Sequence, residues 1–113
     1  MGDDLIPQLR CSIVFNANNG ILDVKKSFNM SQSDYNGVGL FGFHFGDNKP
    51  ADAYYIVNCN GTWYNSQSYS HILQFSVFDK STSFFNVKSY RVDNNTSDNH
   101  NDASGLSYIS VFW

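Results

Sequence analysis

Phe41, Phe43 and Phe45 alternate with Gly42 and His44. That two-residue apolar period fits a strand with one buried face and excludes a helix, whose apolar face returns about every three to four residues. The strand should stop at Gly46, because Asp47, Asn48, Lys49 and Pro50 supply turn chemistry: Asn and Asp tolerate unusual backbone angles, and Pro fixes φ. After Ala51-Asp52-Ala53 come the strand formers Tyr54, Tyr55, Ile56 and Val57. Residues 39–58 are therefore expected to form a hairpin on which the rest of the chain packs.

The same period recurs on both sides. Cys11, Ile13 and Phe15 alternate with Arg10, Ser12 and Val14, and Asn19-Gly20 is a strong hairpin signal. Leu22, Val24, Phe28 and Met30 fall on one side of the next stretch, with Lys26 interrupting. Residues 31–36 read as a polar loop. Leu73, Phe75 and Val77 alternate within His71 to Phe78, and a further strand is expected over 84–92. Leu106, Tyr108, Ser110 and Phe112 form one row of the last strand, which closes the chain at Trp113, so nothing is expected to follow it. Residues 59–70 and 93–104 lack the period and read as loops. The pattern predicts a single all-β domain over 10–113, an antiparallel β-sandwich of about seven or eight strands. Residues 1–9, with Pro7 barring a strand interior, read as an N-terminal arm that could dock on a partner.

Composition agrees. Of 113 residues, 42% are hydrophobic, 17% aromatic and only 15% charged, and glutamate is absent. Helix formers are scarce while Phe, Tyr, Val, Ser and Asn abound. The net charge is −3 and the seven basic residues are scattered, which argues against nucleic-acid binding, where clustered cations must neutralise phosphates. No apolar run has the roughly 20 residues of a membrane helix, so no membrane insertion is expected. Met1-Gly2-Asp3-Asp4 carries acids where a signal peptide needs positive charge, and Ile6 breaks the myristoylation pattern that Gly2 invites. Cys11 and Cys59 sit in apolar strand contexts; burial as small hydrophobes is the expectation, with a disulfide left open.

Three sets of residues bear on chemistry. Asp98, His100 and Asp102 alternate, so an extended segment would turn them to one side as metal ligands; a solvated Asn/Asp loop explains them as well, and no metal or other cofactor is expected. His44, His71 and His100 have no nucleophile elbow to serve, and no carboxylate spacing marks a hydrolase pair. No catalytic residue is assigned. The aromatic segment is the better candidate: Trp63, Tyr64, Asn65, Tyr69 and His71 combine flat rings with adaptable hydrogen-bonding groups, as binding loops do. For Trp63, a place under the loop plugging one end of the sandwich stays an equal alternative.

The run Ile13-Val14-Phe15-Asn16, then Gly20, then Ser27-Phe28-Asn29-Met30-Ser31, resembles the opening of a small domain of bacteriophage tail-fibre and virion-appendage proteins. Gly39 to Phe45 is similar to that family's "G-x-Y-x-V-x-F" strand, and Pro50-Ala51-Asp52-Ala53-Tyr54-Tyr55 to its "M-P-D-A-x-Y" turn. Asp102 followed by Leu106 to Phe112 resembles its closing strand. The resemblance implies a non-enzymatic, homotrimeric virion module, a fibre tip or a capsid or tail appendage. Such a module would be made in the bacterial cytoplasm and would contact other virion proteins through its arm and a host-surface glycan or protein through its loops. A decoration protein touching only virion subunits and a free carbohydrate-binding lectin are the alternatives. The matching residues are scaffold, so no functional residue is carried over.

Overall fold

The Phe stripe and its counterparts sort the chain into two layers. The computed structural model describes residues 6–64, 70–91 and 102–113. Among these, nine strands follow in order: β1 (Leu9–Asn18), β2 (Ile21–Phe28), β3 (Met30–Gly37), β4 (Leu40–Phe45), β5 (Ile56–Asn60), β6 (Thr62–Tyr64), β7 (Ser70–Phe78), β8 (Phe84–Arg91) and β9 (Ser107–Phe112). One sheet has the order β2-β1-β9-β5, the other β3-β4-β8-β7-β6, and all pairings are antiparallel. This is the β-sandwich the alternation predicts.

Cys11, Ile13, Phe15 and Ala17 of β1 join Ile109 and Val111 of β9 on the inner face of the first sheet. Facing them are Phe41, Phe43 and Phe45 of β4 with Phe85 and Val87 of β8. The rings interlock across the gap: Phe15 meets Phe41 and Phe43 at 5.7 and 5.4 Å, and Phe45 meets Tyr55 and Trp113 edge-on at 5.1 and 5.3 Å. Such tilted and edge-to-face contacts suit the ring quadrupoles. Trp113 thus covers the end of the sandwich where β4 finishes.

Several local expectations are corrected. The Phe strand and the following Tyr-rich strand do not form a hairpin: β4 lies in one sheet and β5 in the other. The connection is too long for a tight turn and crosses to the other layer, from which Tyr55 reaches back over Phe45 to donate its hydroxyl to the carbonyls of Ser81 and Phe84 at 2.8 and 3.1 Å. Residues 31–36 are not a loop but most of β3, a sheet-edge strand whose outer polar side chains stay near water. Part of the segment 59–70 is strand as well, as β6. On β9 the buried row is Ser107, Ile109 and Val111, because pairing with β1 sets Ile109 beside Ile13; Leu106 and Tyr108 are exposed. Lys26 interrupts the apolar row of β2 because the register slips there: Val14 pairs with Lys26 but Phe15 with Val24, leaving Lys25 as the extra residue of a bulge. β1 begins at Leu9, and Gln8 already exchanges two backbone hydrogen bonds with Trp113, so the end of the expected arm is part of the sheet. Residues 1–5 of that arm lie outside the described residues.

Two residues turn the chain from layer to layer. Asn29 sits at φ 56° between β2 and β3. Its Nδ2 donates to the carbonyls of Asn48 (2.7 Å) and Arg10 (3.2 Å), and its own carbonyl accepts from Gly46 (2.9 Å) and the Cys11 thiol (3.3 Å). One side chain thereby ties β1 to the end of β4. At the other lateral edge, Gly61 joins β5 to β6 where a Cβ would fall 2.7 Å from that of Ser107 and 3.1 Å from the Phe75 ring. Only glycine fits there.

Cys11 and Cys59 are free thiols, on β1 and β5 with β9 between them. Burial pushes the thiol of Cys11 up to about 11 and that of Cys59 up to about 12. It also pushes the Tyr55 hydroxyl up to about 12. The unfolded chain releases these protons first, from 9.0 for a thiol and 10.0 for tyrosine. The stability they contribute is whole below pH 9.0 and is lost as pH rises toward the folded values.

Two outcomes follow for denaturant unfolding. Asn29→Ala, which loses the side-chain bonds and strains a left-handed backbone, should cost about 3–4 kcal/mol, and Asn29→Gly, which loses the bonds alone, about 1 kcal/mol less. Stability should fall steadily above pH 9.0, with a shallower slope in Cys59→Ala; an unchanged slope would show that burial of this thiol is not the cause.

Candidate functional site

Chain direction gathers one set of connections at a single pole. The β1–β2 turn at Asn19-Gly20, the β3–β4 turn at 37–39, the strand ends Tyr64 and Ser70, and the segment 102–106 all lie at the end opposite Trp113. Asn19 and Gly20 have φ of 53° and 85°, the two positive values that match a tight turn to the twist of a hairpin.

Segment 102–106 is the keystone of that pole. Asp102 is 7% exposed. Its carboxylate accepts the Tyr35 hydroxyl at 2.8 and 2.9 Å and the Gly39 amide at 2.8 Å, across 63 residues of sequence in the latter case. Beside it, the Ala103 carbonyl accepts the Ala17 amide, and the Gly105 amide donates to Thr62, both at 2.8 Å. One short stretch therefore fastens β1, β3, β4 and β6. Burial raises the Tyr35 pKa, and the bond to Asp102 raises it further, so the phenol keeps the proton it donates.

This places one member of the Asp98, His100 and Asp102 set. Asp102 faces inward and is spent on structural hydrogen bonds, so it is not part of an outward ligand row. Asp98 and His100 lie outside the described residues, among which no group of three His, Cys or Asp side chains could hold a metal.

The aromatic candidates fall on the hairpin of β6 and β7. Backbone pairing sets Trp63 opposite His71 and Tyr64 opposite Ser70, so three of the five residues share one two-stranded ladder. Asn65 and Tyr69 lie outside the described residues. The ladder is rigidly rooted: the Leu73 amide donates to Gly61 at 3.1 Å, at the glycine corner described above.

Sequence reasoning missed a recess at the same pole. Asn16, Asn18, Asn19, Ile21 and Asp23 line a hollow of about 310 Å³. The Asn16 Oδ1 is buried there with no hydrogen-bond partner among the described residues. Amides around an apolar floor suit a ligand carrying both hydroxyls and C–H surface. Density of asparagine over 16–19 is the signal the sequence offers for it.

His44 lies on the outer face of the second sheet, 2.8 Å from Asp34 and beside the Phe84 ring at 5.7 Å. The hydrogen bonds from Gln32 and His44 lower the Asp34 pKa, that of Gln32 foremost. With about a third of each side chain exposed, the pair is a surface hydrogen bond.

Truncation at the keystone should be costly. Asp102→Ala leaves the half-buried Tyr35 hydroxyl and the buried Gly39 amide without their acceptor, an expected loss of about 1–3 kcal/mol. Tyr35→Phe combined with it should be less than additive by about 1 kcal/mol in denaturant titrations, as for residues sharing one bond.

Comparison of the chain with family models, curated proteins and solved structures returned no match.

Proposed function

We propose that this chain is a non-enzymatic module of a bacteriophage virion, a fibre tip or a capsid or tail appendage, which docks by one pole and presents the other to the host surface. The observation that supports this most is where the family-like residues meet. Gly39, which opens one matching strand, and Asp102, which precedes another, are joined by a 2.8 Å hydrogen bond. Asn29, the centre of the Ser-Phe-Asn-Met-Ser run, is the residue that ties the two layers together. Each has a specific job in the scaffold.

The two poles differ as such a role requires. At the Trp113 pole, Leu9, Phe112 and Ile56 occupy neighbouring positions across three strands, and Leu9 and Ile56 are exposed. Tyr54 just before β5 is 89% exposed. Apolar side chains grouped beside the N-terminal arm suit burial against another virion protein. The opposite pole carries the amide-lined recess and the Trp63–His71 ladder, suited to a glycan or to a polar protein surface. A homotrimer would multiply weak contacts there, because linked sites rebind at high effective concentration.

The test separates the poles. Ile56→Lys with Leu9→Lys should abolish co-sedimentation with particles while circular dichroism stays unchanged. Replacing Trp63, Tyr64 and Tyr69 by Ala should lower binding to host cells about tenfold and leave particle association intact. Full particle association in the lysine variant together with sugar binding by the free protein would establish a lectin instead. Unchanged cell binding in the alanine variant would establish a decoration protein.

A further inference from the structure

Among the described residues, β2 is the open edge of the first sheet, bonded to β1 on one side only. It also stands clear of the opposing layer: its inner-row Val24 is 39% exposed, and Ile21 and Phe28 on the outer row are 67% and 57% exposed. A free edge with apolar side chains on both faces is a template for another strand.

We propose that β2 pairs with β2 of a second copy, antiparallel and about a two-fold axis between Val24 and Lys25. The register with β1 carries the argument. Ile21 and Asp23 lie beside Asn18 and Asn16, on the outer row; after the bulge at Lys25, Lys26 and Phe28 lie beside Val14 and Ser12, again on the outer row. Without the bulge the two halves would point to opposite faces. With it, the two-fold register sets Ile21 against Phe28 of the copy and Asp23 against its Lys26, each pair occurring twice. Leu22 meets Ser27 on the inner row. Apolar meets apolar and acid meets base at every outer position, and directly opposed pairs are what stabilise a sheet.

Lysines and bulges also serve to keep edges apart. Here Lys26 would find Asp23 of the copy. That carboxylate is already held at the edge by Lys25 of its own chain, at 2.6 Å, with half of each side chain exposed. An edge built only for repulsion would carry no matching acid at the symmetric position. The contact goes beyond the virion reading and does not rest on it: it couples copies in pairs, giving two chains or, if trimers form, six.

Charge exchange tests it in the full chain by sedimentation equilibrium across concentration. Asp23→Lys sets lysine against Lys26, and Lys26→Asp sets two aspartates together; each should weaken pairing about tenfold or more. The exchanged double variant Asp23→Lys/Lys26→Asp restores opposite charges and should recover pairing. Circular dichroism checks that each variant folds. An unpaired species in the unaltered chain at all concentrations, or a double variant as weak as the singles, overturns the proposal. A trimer that never doubles likewise overturns it while leaving the virion reading standing.

Discussion

The fold depends on burying one row of phenylalanines. Phe41, Phe43 and Phe45 project from a single strand with essentially no exposure. Burying each ring is worth about 1.5–3 kcal/mol relative to leaving it in water. A lone sheet cannot cover that row, so a second layer has to close over it, with Phe15, Ile13 and Ile109 as its facing surface. Each layer covers the apolar face of the other. The sandwich is the consequence.

A greasy interface fixes the presence of two layers but not their alignment. Alignment comes from directional bonds at the edges. Asn29 holds one corner through its left-handed backbone and its amide, Gly61 holds another by leaving no room for a side chain, and Asp102 draws Tyr35 and Gly39 onto the closing segment. These contacts are few, and each joins parts of the chain far apart in sequence. The corner residues thus align the two layers among the described residues, and any contact made on a part of the surface held in place beforehand carries a lower ordering cost.

How much of this could be read from the sequence follows from what period-two alternation encodes. It encodes faces, so the Phe stripe, the inner row of β1 and the Asn19-Gly20 turn were all legible. It does not encode partners. The Tyr54 to Val57 stretch has the pattern of a hairpin's second half, yet it crosses to the other sheet, where β5 pairs with β9. Edge strands were hidden for a related reason: β3 needs no apolar row where water can reach its outer side, so residues 31–36 resembled a loop. The bulge at Lys25 inverted the faces of β2 midway, which the pattern registered only as an unexplained lysine. Of the candidate site, the Trp63–His71 ladder was foreshadowed by composition. The Asn16 recess lies within one hairpin and is marked only by its asparagine density, while the inward turn of Asp102 depends on the packing of remote segments and has no local signature.

In the proposed function the two poles have separate work. Hydrogen–deuterium exchange on the chain bound to virus particles tests it most directly. Added protection is expected at Leu9, Ile56 and the amides around Trp113, with none at the Asn19-Gly20 turn or at Thr62 to Tyr64. Protection of that turn and of β6 in the particle-bound protein, with the Trp113 pole unchanged, would contradict it.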